Sequence, residues 1–502
     1  MPAANRKIFN IPLNRVEGDL ELHIEYDGTE VKNSWSKGTM FRGFENMLKG
    51  RGPRDGLVLT PRVCGICGTA HLLAAAKALD MLCGVTIPDN AIMIRNLALM
   101  AEHIQSDIRH GILMFMKDFL NPLYKSEPFY HEARLRYEPF RGTSVIKAIQ
   151  ETKRILEIVA IIGGQWPNSS FMVPGGIATS PTFNDMVSCS YIRKAFTNYY
   201  EREILGCSIE RWSAIKTGTD LDVWLEEDEA HFNGDLGFFI RCARRTGLDA
   251  IGGGHGNFIS AGLVDLPNTG TGRSMPVTCM SSGFISRGEK AGFNQARVSE
   301  HAAFSRFEGY GSGIHPFEGL TLPCVADTNP DKYSWAKAPR YDDTPAETGP
   351  LAEMLVDDVP LFNDLVGNNG PTVFSRELAR LTRPARLLPL MKDLIAEINP
   401  KAPYYTSVKD IPDGRGYGLI EASRGALGHW IDIRDGRIDR YQIITPTSWN
   451  GSPRDANGVR GPWEEAMIGT MLKDPENPVE LGHIVRSFDA CLVCAVHVCT
   501  KR

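Results

Sequence analysis

The sequence predicts an α+β fold that is predominantly helical, with a central bundle of long helices and small β-sheets at its periphery. Three observations support this prediction. Residues 70–125 carry long helical patterns, residues 20–38 alternate between apolar and polar side chains, and no repeat or low-complexity linker divides the chain. We therefore expect one intertwined unit over residues 1–502 rather than separate domains.

The first predicted elements are a hairpin and two helices. Residues 20–28 (LELHIEYDG) predict a strand that ends in an Asp-Gly turn, and residues 30–38 can return beside it. An Ala/Leu-rich helix ends at Gly84, and a longer helix follows, with Asp89 as a suitable N-cap and Pro122 beyond its end. Apolar residues surround most of this longer helix, which is typical of a helix that is buried on all sides.

The rest of the chain alternates between helical and irregular segments. The Gly-, Asp- and Pro-rich stretch between residues 213 and 345 predicts irregular β structure and long loops, and residues 435–449 predict a turn and then a strand. Further helices are predicted over residues 143–163, 181–205, 351–366 and 373–400. Pro384 is expected to break the last of these helices.

Composition and charge argue against several classes of protein. The formal net charge of −5 and the pI near 6.2 disfavour a surface that binds nucleic acid or anionic membranes. The longest apolar runs, such as residues 155–164, are too short to span a bilayer, and residues 1–20 lack the apolar core of a signal peptide. We therefore expect a cytoplasmic location, or a peripheral one on the cytoplasmic face of the membrane.

Four of the eleven cysteines have the spacing of metal ligands. They form two C-x-x-C pairs, Cys64 with Cys67 and Cys491 with Cys494. An odd number of cysteines without a secretory signal favours reduced thiols over disulfides. Two such pairs can supply four thiolates, which select zinc, an iron–sulfur cluster, copper(I) or nickel. Local spacing does not choose among these metals, and structural zinc, a redox dithiol and core cysteines are the alternatives.

The residues around the two pairs resemble the signature of the large subunit of nickel–iron hydrogenases. The first motif, RVCGICGTAH, runs from Arg62 to His71, and the second, DACLVCAVH, runs from Asp489 to His497. The resemblance covers essentially the whole chain and implies a single large-subunit domain over residues 1–502. Seven further segments agree in order: RVEGDL (15–20), MFRGFE (40–45), GRGPRD (50–55), HIQSDIRH (103–110), VPGGI (173–177), ASRGALGHW (422–430) and ITPTSWN (444–450).

The resemblance implies a nickel–iron centre whose iron carries one CO and two cyanides. Cys64 and Cys491 would bind nickel alone, and Cys67 and Cys494 would bridge nickel and iron as thiolates. Because the pairs lie at opposite ends of the sequence, the N- and C-terminal segments are expected to meet at this metal site. His71 is expected to lie close to the centre without binding it.

Four further residues are implied to surround the open face and the diatomic ligands of the centre. Arg424 matches the family arginine above the exchangeable face, where a guanidinium polarises H2 or acts as a base. Ser423 stands where most relatives have proline. Pro446 and Thr447 match positions that face the cyanides, with Thr447 as the hydrogen-bond donor.

Two carboxylates complete the implied catalytic set. Glu17 matches a glutamate beside a terminal cysteine, here Cys491, where it can relay a proton. Asp107 matches a carboxylate that holds the active-site arginine, so Arg424 is its expected partner. Asp107 shares one face of the predicted helix with His110.

A second ion is implied near the end of the chain. Glu45, His497 and the backbone carbonyl of Ile443 match the ligands of a structural magnesium or iron ion. Five residues follow His497 here, whereas the family precursor has a longer extension that a protease removes. We therefore expect either a short uncleaved end, as in H2-sensing relatives, or an unprocessed form.

Two apolar residues are expected to control the access of gases to the centre. Ile66 stands where many relatives have valine, and Met114 lies on the helix that lines the expected gas route. Larger side chains at these positions would narrow the route for O2, a trait of H2 sensors and of some O2-tolerant uptake enzymes.

The chain is expected to need a partner. No second cysteine cluster remains for an iron–sulfur centre, so the resemblance implies an iron–sulfur small subunit in a heterodimer or a higher oligomer. The implied reaction is the heterolytic cleavage of H2 in the direction of oxidation. A regulatory H2-sensing subunit is the alternative, and a non-enzymatic scaffold with structural zinc is a more distant one.

Overall fold

The computed structural model describes residues 7–16, 18, 20–265, 280–324, 329 and 331–491. Within these ranges it confirms the predominantly helical α+β fold. Its helices are α1 (Phe44–Leu48), α2 (Asp55–Leu59), α3 (Gly68–Cys83), α4 (Asp89–Arg109), α5 (Tyr130–Tyr137), α6 (Thr143–Ile155), α7 (Glu157–Gly163), α8 (Phe183–Tyr199), α9 (Ile209–Ser213), α10 (Gly218–Glu227), α11 (Glu229–Asn233), α12 (Asp235–Thr246), α13 (Pro350–Val356), α14 (Pro360–Asn369), α15 (Val373–Thr382), α16 (Pro384–Glu397), α17 (Pro446–Asn450), α18 (Pro462–Ala466) and α19 (Val479–Ser487).

The strands form small antiparallel sheets at the periphery. The three-stranded sheets have the orders β1-β2-β3, β6-β7-β8 and β11-β12-β13, and the two-stranded sheets pair β4 with β5 and β9 with β10. The strands are β1 (Lys7–Leu13), β2 (Leu20–Tyr26), β3 (Val31–Gly38), β4 (Met172–Val173), β5 (Gly176–Ile177), β6 (Phe258–Ala261), β7 (Ser282–Ser286), β8 (Glu289–Ala291), β9 (Val298–His301), β10 (Ala338–Tyr341), β11 (Gly414–Ala422), β12 (Gly425–Arg434) and β13 (Arg437–Ile444).

Helices α3 and α4 lie at the buried centre, as the sequence predicts. α3 ends at Gly84 in the left-handed conformation. Nearly every side chain of α4 is buried, and Asp89 is its first residue rather than its N-cap, which is Pro88. The buried Glu102 of α4 accepts hydrogen bonds from the first amides of α3 (2.9 and 3.1 Å) and so fixes the start of α3, directly after the first cysteine pair.

Strand β11 lies directly on α3 because two glycines remove the side chains between them. A Cβ atom at Gly418 would lie 1.9 Å from the carbonyl oxygen of Ala74, and one at Gly416 would lie 2.3 Å from that of Ala78. This approach brings the β11-β12-β13 sheet against the helix that carries the first metal motif.

Several predicted helices are interrupted in the structure. The helix expected over 143–163 breaks at Leu156, and the one expected over 181–205 continues from α8 into a π-helical turn, Tyr200–Leu205. α4 likewise continues into a π-helical turn, His110–Phe115. The break at Pro384 occurs as predicted, because proline begins α16.

The prediction of irregular β structure from residue 213 onward is wrong for its first third. Residues 218–246 form α10, α11 and α12. Thr217 and Asp220 form a capping box at the start of α10, and the buried Leu221 and Trp224 give it an apolar face. The predicted β structure begins only with β6.

The two ends of the described chain meet in one core. A single hydrophobic cluster contains residues from Leu20 to Cys491. Arg486 of α19 donates hydrogen bonds to the carbonyl and the side-chain oxygen of Asn14 (3.3 and 3.1 Å). None of the helices in the described ranges has both the length and the hydropathy required to span a membrane.

Candidate metal centre

Two cysteine sulfur atoms from opposite ends of the chain lie side by side in the core. The Sγ atoms of Cys64 and Cys491 are 3.5 Å apart, and both residues are buried. Cys64 lies in the turn before α3, and Cys491 follows α19. A Cβ atom at Gly68 would lie 2.9 Å from the carbonyl oxygen of Pro61, so this turn can close only around a glycine.

The sulfur–sulfur distance suits two ligands of one metal ion. A disulfide would require about 2.05 Å, whereas two thiolates on one metal at about 2.3 Å in tetrahedral geometry lie about 3.8 Å apart. Cys67, the N-cap of α3, is buried as well. Cys494 and His497 lie outside the described residues. Within the described ranges, no three Cys, His, Asp or Glu side chains converge as a complete metal site.

Arg424 is the cation next to the cysteines. It is buried, its Nε lies 3.0 Å from Oδ1 of Asp489, and its Nη1 has no hydrogen-bond partner among the described residues. Burial alone would lower the pKa of Arg424, but Asp489 and the nearby cysteines Cys491, Cys64 and Cys67 hold it well above its ordinary value. Arg424 therefore carries a fixed positive charge beside the thiols.

Asp489 is the carboxylate that orients Arg424. Its oxygens also lie 3.0 Å from Nδ1 of His110 and 3.3 Å from Nη1 of Arg380. Burial opposes ionisation, but the charges of Arg424, His110 and Arg380 hold the pKa of Asp489 well below its usual range. This residue opens the second cysteine motif, and its position two residues before Cys491 could have identified it from the sequence.

The structure corrects the expected partner of Asp107. Arg383, rather than Arg424, donates two hydrogen bonds to the Asp107 carboxylate, from Nε at 2.8 Å and from Nη2 at 2.7 Å. Nη2 of Arg383 also donates to the carbonyl of Ser423 at 2.7 Å. Asp107 therefore supports Arg424 only indirectly, through Arg383 and the backbone of the preceding residue.

This arrangement makes Asp107 important for stability. Asp107→Asn is expected to lower the free energy of unfolding by about 3 kcal/mol, because the fully buried Arg383 loses one of its two buried anionic partners and keeps only Glu353. Urea denaturation measures the change. Asp265→Asn breaks a partly exposed pair with Lys77 and is expected to cost less than about 1 kcal/mol. Equal losses in the two variants would contradict this assignment.

A cavity of about 170 Å³ adjoins Arg424 and Asp489. The residues predicted to control gas access, Ile66 and Met114, both line it. The Oε1 of Gln105 and the Oγ of Ser106, two further lining residues, are buried without hydrogen-bond partners in the described part of the chain. The cavity thus combines an apolar wall with a few polar groups, as small-ligand sites do.

Thr447 contacts the backbone of Cys491. Its Oγ1 accepts a hydrogen bond from the Cys491 amide at 3.1 Å, and this contact leaves the hydroxyl proton available for another acceptor. Pro446 and Thr447 open α17, which Thr445 caps by accepting from the amide of Ser448 (3.3 Å). Both residues are buried.

Glu45 and Ile443, two residues of the expected second ion site, lie together. The Ile443 amide donates to Oε1 of Glu45 at 2.8 Å, and Thr321 donates to Oε2. Nζ of Lys337 lies 3.8 Å from Glu45 and 3.6 Å from Glu300. Burial raises the pKa of Glu300 to about 7 against the effect of Lys337, and its Oε2 has no hydrogen-bond partner among the described residues.

Glu17 lies outside the described residues, but the residues before it are firmly held. Arg15 donates from Nη1 to the carbonyl of Met114 at 2.7 Å and forms an ion pair with Asp118. Asp118 also pairs with Arg486 of α19. The chain that leads to Glu17 is therefore tied to the helix that leads to Cys491.

Comparison with known proteins agrees with this geometry. A family model described as nickel-dependent hydrogenase matches residues 42–126 and 239–497. The periplasmic NiFeSe hydrogenase large subunit of Desulfomicrobium baculatum is 32% identical, over 99% of this chain and 96% of that protein. The hydrogenase-2 large chain of Escherichia coli K12 is 27% identical, over 97% of this chain and 96% of that protein.

Solved structures have the same fold over nearly the full chain. The reduced, active Ni-Fe-Se hydrogenase from Desulfomicrobium baculatum superposes with a TM-score of 0.82 at 30% identity, covering 98% of this chain and 100% of that chain. The as-isolated oxidised Ni-Fe-Se hydrogenase from D. vulgaris Hildenborough gives 0.83 at 27% identity, with the same coverage. The chain therefore belongs to the nickel-dependent hydrogenase family, as a hydrogenase large subunit of the nickel–iron type.

Proposed function

We propose that this subunit oxidises H2 to two protons and two electrons at a Ni–Fe(CN)2(CO) centre. Four residues would hold the centre: Cys64, Cys67, Cys491 and Cys494. Each is a cysteine, so the ligand atom would be sulfur at every position. The observation that carries the proposal is the buried Cys64–Cys491 sulfur pair, with the cationic Arg424 beside it. When bound, nickel and iron supply the Lewis acidity and the electron acceptance that the reaction requires.

Arg424 is proposed to act as a fixed electrostatic group. Its charge stabilises negative charge that develops at the thiolate centre as H2 is polarised, and Asp489 holds its orientation. The unpartnered Nη1 leaves one donor available for this role. Since the pKa of Arg424 is held well above its ordinary value, we favour electrostatic stabilisation over action as a neutral base.

Thr447 and Glu17 are proposed to assist in different ways. The hydroxyl proton of Thr447 suits donation to a cyanide, with Pro446 beside it in the chain. The carbonyl of Ser423 accepts a hydrogen bond from Arg383 and so helps to hold the segment that carries Arg424. Glu17 would take a proton from the region of Cys491 and pass it outward. The ties of Arg15 to Met114 and Asp118 support this role, because they hold the chain close to the cavity.

We propose a structural Mg²⁺ (or Fe²⁺) bound by Glu45, His497 and the carbonyl of Ile443. The support is the buried group of oxygen atoms around Glu45, including Glu300, whose Oε2 has no hydrogen-bond partner among the described residues and lies 3.6 Å from Nζ of Lys337. Such an ion would fix the C-terminal segment that carries Cys494.

The electrons need an acceptor outside this chain. We propose an iron–sulfur small subunit as the partner, because the described relatives are named large subunits or large chains. We also infer one domain over residues 1–502, since one hydrophobic cluster joins both ends of the described chain. The cytoplasmic location stays a prediction, and the Desulfomicrobium baculatum relative is named periplasmic.

The direct test is H2-dependent dye reduction by the purified heterodimer. High turnover, lost when H2 is replaced by argon, is the expected result. A very slow rate with intact nickel signals would instead support the H2-sensing alternative. No H2-dependent reduction and no nickel would contradict both functions.

The cavity wall at Ile66 provides a second prediction. Ile66→Val is expected to increase O2 inhibition in the turnover assay, because the smaller side chain widens the cavity beside Arg424. Leu135→Val, at an exposed surface position, is the control. Unchanged O2 sensitivity in Ile66→Val would rule out control of gas access by this residue.

A further inference from the structure

A second cavity, of about 650 Å³, lies beside the half-buried face of the N-terminal sheet, and none of its lining residues belongs to the cysteine motifs. Asn33, Trp35 and Lys37 alternate with buried residues along β3, so their side chains form one wall of this cavity. His23 of β2 lies opposite Trp35 in the sheet, and the two rings are 5.0 Å apart. The proposed oxidation of H2 uses none of these residues.

Positive side chains dominate the lining of this cavity. Among the described residues that line it, one, Asp331, is acidic, although the whole chain has a net charge of −5. A concave surface lined by one sign of charge concentrates ions of the opposite sign. The cationic lining residues are all half-buried, and they are Lys37, Arg306, Lys332, Arg454 and Arg460.

Three of these cations form no ion pair with a carboxylate in the described part of the chain. Nζ of Lys37 lies 3.4 Å from Nδ1 of His23, Nε of Arg306 donates to the carbonyl of Lys332 at 3.4 Å, and Nζ of Lys332 donates to the carbonyl of Phe307. Burial, and then the charge of Lys37, lowers the pKa of His23, as expected beside a cation without a counter-ion.

The other two cations have carboxylates behind them. Nη1 of Arg454 lies 3.8 Å from the buried Glu464, and Arg460 pairs with Glu465 at 3.1 Å. Burial raises the pKa of Glu464 to about 7 against the effect of Arg454, so this carboxyl group is only partly ionised at neutral pH. Three unpaired cations face a single lining carboxylate, and the cavity therefore keeps an excess of positive charge.

We propose that this cavity binds a small ligand that carries a di- or triphosphate group. Half-buried like charges repel one another, and an anion with several charges relieves that repulsion. Within the described residues only Nε of Arg306 donates a hydrogen bond, so both terminal nitrogens of its guanidinium are available for a phosphate. Lys37 adds a second positive charge on the β3 wall.

The volume of the cavity favours a small molecule with several phosphates over a single phosphate ion. Small-molecule sites in proteins usually measure about 300–1,000 Å³, and this cavity lies within that range. The inference goes beyond the proposed function and does not depend on the nickel–iron centre, because no cysteine lines the cavity.

Isothermal titration calorimetry of the purified heterodimer at physiological ionic strength, without divalent cations, tests this inference. Inorganic triphosphate and ATP are the phosphate probes, and citrate is the carboxylate probe. We expect both phosphate probes to bind with a Kd below about 1 mM and citrate to bind more weakly. Tighter binding of ATP than of triphosphate would indicate a nucleotide, and equal binding would indicate that the phosphates alone are recognised; both results support the site.

Lys37→Gln/Arg306→Gln is expected to weaken triphosphate binding by about 10–100-fold, because it removes two cations that have no carboxylate partner. Lys147→Gln/Arg154→Gln is the matched control. It makes the same change in net charge on α6, where the two side chains pair with Glu203 and Glu151, and should leave the Kd within about twofold.

Three results would overturn the inference: no binding of either phosphate probe at about 10 mM, tighter binding of citrate, or equal weakening in the two double variants. Thermal unfolding of each variant shows whether the fold is intact. If Lys37→Gln/Arg306→Gln does not fold, the single variant Lys37→Gln decides by the same comparison with Lys147→Gln.

Discussion

Cys491→Ser is expected to abolish H2-dependent dye reduction and to leave the large subunit without nickel. A serine hydroxyl stays protonated at neutral pH and is a poor ligand for a metal that prefers soft thiolates. Serine retains the backbone amide that donates to Thr447, so the local hydrogen bond should persist. Nickel content by mass spectrometry, together with the dye assay, measures both effects.

Cys189→Ser is the matched control for this experiment. Cys189 is also buried, but burial raises the pKa of its thiol to about 12, so it is not a thiolate at neutral pH. This variant should keep its nickel and most of its activity. Full nickel occupancy in Cys491→Ser, or equal nickel loss in the two variants, would contradict the assignment of Cys491 as a ligand.

Arg424→Lys is expected to reduce kcat by about 10²–10³ while the nickel content stays unchanged. The lysine ammonium keeps the positive charge but lacks the planar guanidinium. In Arg424 that group places Nε 3.0 Å from Oδ1 of Asp489 and leaves Nη1 as a second donor without a hydrogen-bond partner among the described residues. The dye assay under saturating H2 gives kcat, and metal analysis of the same sample excludes loss of the centre.

Arg434→Lys provides the control for the loss of a guanidinium. Arg434 is exposed at the end of β12 and pairs with Asp432. Its replacement should leave kcat within twofold of the wild type. An Arg424→Lys enzyme with wild-type turnover would show that the electrostatic role of Arg424 is wrong.

Much of the fold was predictable because its strongest signals are local. Helix α3 has a helix-forming composition and a terminal glycine, and α4 has apolar residues around most of its circumference, so neither needed tertiary information. The three helices between residues 218 and 246 were missed because their exposed faces are polar and rich in Asp, Glu and Gly. The side-chain caps at Thr217 and Asp228 mark the starts of α10 and α11, and these signals are short.

The site was predictable where ligands occur in motifs, and not where partners come from distant segments. The Cys64–Cys491 proximity followed from two C-x-x-C pairs that would share one metal. The partner of Asp107 could not be predicted, because Arg383 is 276 residues away in sequence. No local pattern specifies which buried cation pairs with which carboxylate. The contact of His71 with His429, whose Nδ1 and Nε2 atoms lie 3.0 Å apart, likewise depends on how β11 and β12 lie against α3.

The metal content of the purified heterodimer tests the central claim most directly. If Cys64, Cys67, Cys491 and Cys494 hold a nickel–iron centre, mass spectrometry will find one nickel per large subunit and no stoichiometric zinc. One zinc per large subunit with no nickel would contradict the claim, and would mean that the buried cysteines form a structural site.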